Sequence, residues 1–523
     1  MSRCDKLREW FIAEAGYLSP YVQLTESPTN GIHVRGDPIL ETENPSAETP
    51  ICTCPLSLTL SYLNAVPPKS TQNGINAIQN GLPVRHVSGD LPLLHGVIPH
   101  HVLSRFVLIE QRLLGPNSFW EPYISCLPLT EEDDRLSTPL YFSEEDRQWL
   151  HGTNISNAID MRRTLWTEEW TAACTELENR GLNASQKYTW DLYLWAATIF
   201  SSRAFTSSSL FPDVETFALL YPVIDCLNHQ SGAKVSWNFN NGDFSLSTTE
   251  PLQAGKEVFN NYGAKGNEEL LMGYGFCIPN NPSDSVAIKL GHLPPPVLET
   301  LRNPPTPDPT PSISPLDTAL SLRGPTHYCG AYPALAPCLR GIPPLMVRAA
   351  LSTCLAVRGI APAAMADQLS NPSSRLVVAT MRQLLAPLQK KQDAITTTYP
   401  PTWPQTRNQR HAKLYRDGQL AILNSITTAI ARTLRTLARS PSSPSSLHPL
   451  GPAIIDVSEA VAALRREDPE TARVFLRGVE AALGVDAEDR KQLAAEDCED
   501  VVWILWLCVA WVHARRVGAA GSA

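Results

Sequence analysis

A block of helical texture set between two strand-rich stretches constrains this chain more than any other feature. Residues 20–66 and 221–291 read as short strands and turns, with Lys234–Phe239 and Asp243–Ser247 joined at Asn240-Asn241-Gly242 as a hairpin. Between them, roughly over 100–205, apolar residues recur at helical spacing. His101–Leu114 carries Leu103, Phe106, Val107 and Leu113, and Gln186–Phe205 carries Trp190, Tyr193, Leu194, Trp195 and Ile199. One β domain with a helical insertion follows, so the predicted class is α+β.

Proline sets the next division. The chain has 45 prolines in 523 residues, and they concentrate in connectors. Residues 292–317 include Pro294-Pro295-Pro296 and Pro304-Pro305-Thr306-Pro307. Such a run lacks the amide donors that a helix or sheet needs, which predicts a linker over 292–324. Beyond 325 the texture is helical throughout, with helices expected over Pro344–Val357, Ala364–Leu388, Arg407–Leu437, Glu470–Leu483 and Val501–Arg516. A Ser/Pro-rich stretch at 440–452 reads as a disordered loop. The domains expected are 1–99 (first part of the β domain, opened by a helix), 100–205 (insertion), 206–291 (second part), and 325–523 (all-helical). Nine Lys and Arg residues between Lys390 and Arg439 form a basic tract. It reads as a solvated helix face or as a docking surface for an acidic partner.

Composition narrows the function. A formal charge of −9 argues against a general nucleic-acid binder. Met1–Gly16 is charged and amphipathic, unlike a secretory signal. The longest apolar run, Val501–Val512, is too short to cross a bilayer. The 12 cysteines are scattered with no Cys-x-x-Cys pair, so neither a structural zinc site nor a disulfide scaffold is expected. Reduced, buried thiols in a cytosolic or nuclear protein are the reading.

Two segments carry the chemistry. Tyr221-Pro222-Val223-Ile224-Asp225-Cys226-Leu227-Asn228-His229 is followed about thirty residues later by Val258-Phe259-Asn260-Asn261-Tyr262-Gly263. An Ala254-Gly255-Lys256-Glu257 turn precedes the second segment, and Lys265-Gly266-Asn267-Glu268-Glu269 runs on to Tyr274-Gly275-Phe276. Together these resemble the signature segments of SET-domain protein methyltransferases. The texture, and Ser118-Phe119-Trp120-Glu121-Pro122-Tyr123 in the insertion, resemble the branch of the plant Rubisco large-subunit lysine methyltransferase.

The resemblance implies a split, pseudoknotted SET domain with a helical insertion, then an all-helical domain on which a protein substrate docks. It implies S-adenosyl-L-methionine as cofactor and no metal. Tyr262 matches the active-site tyrosine that orients the acceptor amine. Asn228 and His229 match residues that hold the cofactor, Arg203 the arginine beside it, and Phe276 an aromatic wall. Asp225, Ser207 and Tyr274 fall in substrate-facing positions, Ser207 where relatives carry an arginine. Gly31 and Arg35 fall in the early Gly-x-Gly segment, where His33 replaces the second glycine. A side chain there is expected either to crowd the cofactor or to be tolerated. The expected activity is lysine methylation of a non-histone protein, such as a translation factor or ribosomal protein, by a monomer. Histidine methylation on the same fold and an inactive SET-derived binding module are the alternatives.

Overall fold

The computed structural model describes residues 1–28, 31–38, 48–66, 84–87, 89–128, 136–240, 242–288, 293–302, 320–323, 339–361, 365, 369, 372, 374–438, 457–489, 492 and 498–520. Two compact units emerge: Met1–Val286 together with Lys391–Ala421, and Ala287–Lys390 together with Ile422–Ala523.

In the first unit, α1 (Arg3–Ala13) starts from a capping box between Ser2 and Asp5 and buries Cys4, Leu7 and Phe11. Strands β1 (Tyr17–Leu18), β2 (Val22–Ser27), β3 (Gly31–Gly36) and β4 (Thr49–Pro55) follow. Helices α2 (His100–Leu114), α3 (Asn154–Glu178) and α4 (Trp190–Arg203) form the insertion. The chain then makes β5 (Phe205–Thr206), β6 (Ala218–Leu219), β7 (Val235–Asn240), β8 (Asp243–Thr248) and α5 (Asn267–Tyr274). The main sheet runs β1-β4-β8-β7, and β2-β3 and β5-β6 are separate two-stranded pairs. This sheet joins strands from both sides of the helical block, because β4 pairs antiparallel with β8 across the insertion.

Local chemistry explains the elements. Along β8, Phe244, Leu246 and Thr248 point into the core while the residues between them do not, a period of two. The expected hairpin forms as β7-β8, closing at an Asn240–Asp243 pair with Gly242 at φ 88°. Helix α4 is capped by Thr189, and Tyr193 to Phe200 are all buried, as suits a helix apolar on every face. In α2 the expected Leu103, Phe106 and Val107 are buried. Leu113 departs from that expectation and is 46% exposed, because it lies in the last turn of the helix, beyond the last buried residue, Gln111. The 25-residue α3 carries no strong apolar stripe, which explains why periodicity did not single it out.

In the second unit, helix Pro344–Val357 has the bounds that the sequence implies. Ser374–Thr397 runs past the expected end at Leu388, and Val457–Glu467 is an additional helix. Arg407–Ala438, whose 422–438 part belongs here, Pro469–Leu483 and Glu499–Ala520 are further helices, and Val461, Phe475, Val479 and Val502 share a core. The proline-rich stretch differs from its reading: Pro295–Arg302 is a helix. Its prolines sit at the helix start, where an amide donor is not needed. Residues 303–317 and 440–452 lie outside the described residues. Among the described residues no helix is long and apolar enough to cross a membrane.

The segment 391–421, read from sequence as part of the C-terminal helical domain, packs in the first unit. Arg416 is the physical reason. It is completely buried and donates to the carbonyls of Trp149, His151 and Ile395 and to the Thr398 hydroxyl. The basic tract is therefore not one solvated face. Arg416 is enclosed, and Lys391 donates to Asn154 Oδ1 at 2.5 Å.

Candidate active site

The site is built where three strands of chain run side by side. Gly36 N–H donates to the Lys256 carbonyl and Val258 N–H to the Val34 carbonyl, which fixes residues 256–258 along β3. Two residues on, Asn260 N–H donates to the Asn228 carbonyl and Gln230 N–H to the Asn260 carbonyl, forming a parallel bridge between His229 and Asn260. The second motif thus lies between β3 and the first. Just upstream, Val223 has φ 72°. A β-branched residue there costs about 1–3 kcal/mol and is a mark of functional segments.

Tyr262 is held from several directions. Its backbone N–H donates to His229 Nδ1 (3.0 Å), and its hydroxyl donates to the Leu227 carbonyl (3.0 Å). Its ring stacks between His229 (5.0 Å) and Tyr274 (5.1 Å). Gly263, at φ 98°, donates to Asn261 Oδ1, a turn that fixes the Tyr262 backbone. Burial pushes the phenol well above its ordinary range, aided by Tyr274 and Asp225 and opposed by Arg203, so it stays protonated. Burial and then Lys265 lower the His229 imidazole; with Nδ1 accepting, its proton sits on Nε2.

Tyr274 and Phe276 flank the end of α5. Gly275 takes the left-handed conformation (φ 81°), and an added Cβ would lie 2.6 Å from the Ser137 hydroxyl oxygen. Only glycine meets both demands. At the end of α4, Arg203 donates to the Asp225 backbone carbonyl (3.0 Å) and carboxylate (3.3 Å), and the Tyr123 hydroxyl donates to the same carboxylate (2.8 Å). The Asp225 side chain is fully enclosed. Burial raises its carboxyl, with Arg203 and Tyr123 opposing. Burial also disfavours the Arg203 charge, but Asp225 and the nearby thiol and phenols outweigh it and hold the guanidinium above its ordinary value.

Two cavities meet at these residues. The larger, about 330 Å³, is lined by Ser137, Thr138, Thr198, Ser202, Arg203, Asp225, Asn228, His229, Glu257, Phe259, Tyr262, Tyr274, Phe276, Arg407 and His411 among others. The smaller, about 170 Å³, is lined by Ser202, Arg203, Ala204, Phe205, Thr206, Asp225, Trp237, Tyr262, Lys265 and Tyr274. Tyr262, Arg203, Asp225, Ser202 and Tyr274 belong to both. Among the described residues no acid, imidazole and thiol cluster suits a metal ion.

The structure thus brings Tyr262, Asn228, His229, Arg203, Phe276, Asp225 and Tyr274 together. It leaves three named residues out of both cavities. Ser207 is completely buried, its hydroxyl accepting from Phe217 N–H, so it holds the β5-β6 turn. Gly31 and Arg35 lie on β3, and Glu257 and Phe259 of the adjoining segment are what line the cavity. Arg35 Nε donates to His33 Nε2, while His33 Nδ1 donates to the Gly31 carbonyl. His33 is enclosed within this arrangement and lines neither cavity. Asn30 lies outside the described residues.

Sequence reasoning missed several lining residues. Phe205, Glu257 and Lys265 sat inside the quoted segments without being singled out. Trp237 was hidden in the hairpin. Arg407 and His411 come from a helix more than 130 residues away, and no local pattern marks them.

Comparison with known proteins now has geometry to stand on. Solved structures of Rubisco LSMT bound to AdoMet superpose with a TM-score of 0.58 at 17% identity, covering 83% of this chain and 92% of theirs. A structure titled as the SET domain of LSMT bound to lysine and AdoHcy gives 0.58 at 16% identity, covering 82% and 91%. The fold is that of SET-domain methyltransferases of the Rubisco LSMT branch. Among curated proteins, the ribosomal lysine N-methyltransferase set10 of Schizosaccharomyces pombe is 34% identical over 337 residues, 64% of this chain and 58% of its own length. Ribosomal lysine N-methyltransferase 1 of Saccharomyces cerevisiae is 31% identical over 35% of this chain and 36% of its own. The actin-histidine N-methyltransferase of Gallus gallus is 30% identical over 36% and 32%. The chain therefore spans little more than half the length of set10 and about a third of the other two. No family model matches the chain.

Proposed function

We propose that this protein is an S-adenosylmethionine-dependent protein-lysine N-methyltransferase acting on a non-histone substrate, a ribosomal protein in the first instance. The observation that carries this is the meeting of a polar cavity and an aromatic cavity at one half-buried, protonated tyrosine. The relatives named for ribosomal lysine methylation point to the substrate class.

The larger cavity fits the cofactor. Its volume, about 330 Å³, is within the range of small-molecule sites, ~300–1,000 Å³. Its donor set matches in kind. Arg203 suits a carboxylate, Glu257 a ribose diol, the Asn228 backbone and His229 Nε2–H the polar edge of a base, and Phe276 a flat ring. Bound there, the cofactor supplies an electrophilic methyl group on a sulfonium.

The chain's own residues do the rest. A lysine is mostly charged at neutral pH and must arrive as the free amine, because its lone pair forms the new C–N bond. The walls of Phe205, Trp237, Tyr262 and Tyr274 replace water around it. The Tyr262 hydroxyl, protonated and fixed on the Leu227 carbonyl, aligns the nucleophile by its oxygen. Asp225 acts through Arg203: its enclosed carboxylate holds the guanidinium at the junction.

Docking of the protein substrate falls, in this reading, to the second unit. Exposed Ile504, Leu507 and Trp511 recur at helical spacing on Glu499–Ala520, a face suited to a partner. We place the protein in the cytosol or nucleus. None of the ten described cysteines is in a disulfide and seven are buried, which suits a reducing compartment.

The test is incubation of purified protein and tritiated AdoMet with isolated ribosomes, then mass spectrometry of the labelled band. Methyl-lysine supports the reading, methyl-histidine replaces it with the alternative acceptor, and no label with no AdoMet binding indicates an inactive module.

A further inference from the structure

We propose that Lys265 fixes the protonation state in which an acceptor enters the aromatic cavity, excluding the ammonium and admitting the neutral amine. This rests on the smaller cavity being the acceptor channel, as argued above. The charged groups lining that cavity are Arg203, Asp225 and Lys265. The Asp225 carboxylate is enclosed and already engaged by Arg203 and Tyr123, so it offers no free anion to an incoming cation. Lys265 is left as the cation that an acceptor meets.

The placement of Lys265 is firm. Its N–H donates to the Gly263 carbonyl (2.9 Å), and its own carbonyl accepts from Asn281 Nδ2 (2.8 Å). Its ammonium lies 5.7 Å from the centre of the Tyr274 ring, and its side chain is 22% exposed. Each group facing it is accounted for. On α5 it pairs with Glu269, whose side chain is 57% exposed and does not line the cavity, so water screens that partner. Tyr274, also on α5, is a phenol held above its ordinary range by burial. From the Asn228-His229 segment it faces His229, whose charged form it disfavours. Across the cavity are Arg203, Asp225 and Tyr262.

A second ammonium ~6 Å away, at an effective dielectric near 20, is disfavoured by about a hundredfold. With Glu269 and solvent screening, about tenfold remains. The acceptor therefore leaves its proton in bulk water on entry, and no base within the cavity is required.

The experiment uses Nα-acetyl-lysine methylamide as probe, titrated calorimetrically into the full chain saturated with AdoHcy, from pH 7 to 10.5. Wild type is expected to bind more tightly as the ε-amine deprotonates. Lys265→Met, which keeps the stem and drops the charge, is expected to bind the protonated probe about tenfold more tightly at pH 7. In turnover, the acidic limb of its kcat profile is expected about one pH unit higher, because that limb reports the bound acceptor. Lys265→Arg is expected to restore both wild-type profiles. AdoHcy affinity monitors the fold, and Lys265→Gln replaces Lys265→Met if that variant fails to bind AdoHcy. A neutral variant with the wild-type pH profile, or an arginine variant that behaves like the neutral one, overturns the role of Lys265. Wild type that binds AdoHcy but not the probe at any pH instead overturns the channel on which the inference rests.

Discussion

The two cavities that share Tyr262 differ in the polar and aromatic walls that each has to itself. One wall set is hydroxyls, amides, an acid and imidazoles, including Ser137, Thr138, Asn228, Glu257, His229 and His411. The other is Phe205, Trp237, Tyr262 and Tyr274, with the half-buried Lys265 and the shared Arg203–Asp225 pair. The first suits a polar molecule held by many directional bonds. The second suits an alkyl stem that must lose water before it reacts. A transfer reaction between two such partners needs the reacting atoms brought to about 3–3.5 Å of each other, and the shared residues stand where the two cavities meet.

The sharpest way to break this contrast is to change the junction alone. Tyr262→Phe is expected to lower turnover by about 10²–10³-fold while the AdoMet dissociation constant stays within about twofold. Comparable losses in both would erase the partition. Arg203→Ala is expected to weaken AdoMet by at least about tenfold and to destabilise the fold by about 3 kcal/mol, because it strands the Asp225 carboxylate. Chemical denaturation checks the second part, and an added Asp225→Asn change is expected to restore most of the stability. Arg416→Met is the control for stability without chemistry. It orphans buried carbonyls for about 3 kcal/mol and leaves the AdoMet affinity of the folded fraction unchanged.

Smaller effects sharpen the picture of the polar cavity. His411 Nδ1 accepts from Cys277 N–H (3.0 Å), and burial with Arg407 and Arg410 lowers the imidazole to about 4. The unfolded value is near 6.5, so stability is full above that pH and falls as pH drops from about 6.5 through 4. Thermal unfolding against pH is expected to show this loss, and His411→Gln to flatten it. Smallest of all, His33→Gly is expected to leave the AdoMet dissociation constant within about twofold, since His33 lies in neither cavity. A large loss by calorimetry would make β3 part of the site.

Local rules made much of this readable. The Asn240-Asn241-Gly242 turn between Lys234–Phe239 and Asp243–Ser247 marked the β7-β8 hairpin, and the Asn228-His229 and Asn261-Tyr262-Gly263 segments marked the junction. What was illegible depended on distance. Arg416 looked like one more surface cation until its partners at Trp149, His151 and Ile395 were placed around it. Arg407 and His411 reach the polar cavity from another part of the chain. Ser207 falls in a substrate-facing position by resemblance, yet its hydroxyl accepts from Phe217 N–H. Asp225 was expected to face the amine, and its enclosed carboxylate is instead engaged by Arg203 and Tyr123. Sequence spacing reports what lies along a strand or helix, and it carries no record of which distant carbonyl or guanidinium will arrive.

The most direct measurement is a crystal structure of the protein with AdoHcy. The account expects the ligand in the larger cavity, its carboxylate toward Arg203 and its sulfur toward the Tyr262 hydroxyl, with the aromatic cavity left open beyond. AdoHcy lodged between Phe205 and Trp237, or with its sulfur turned away from Tyr262, would contradict it.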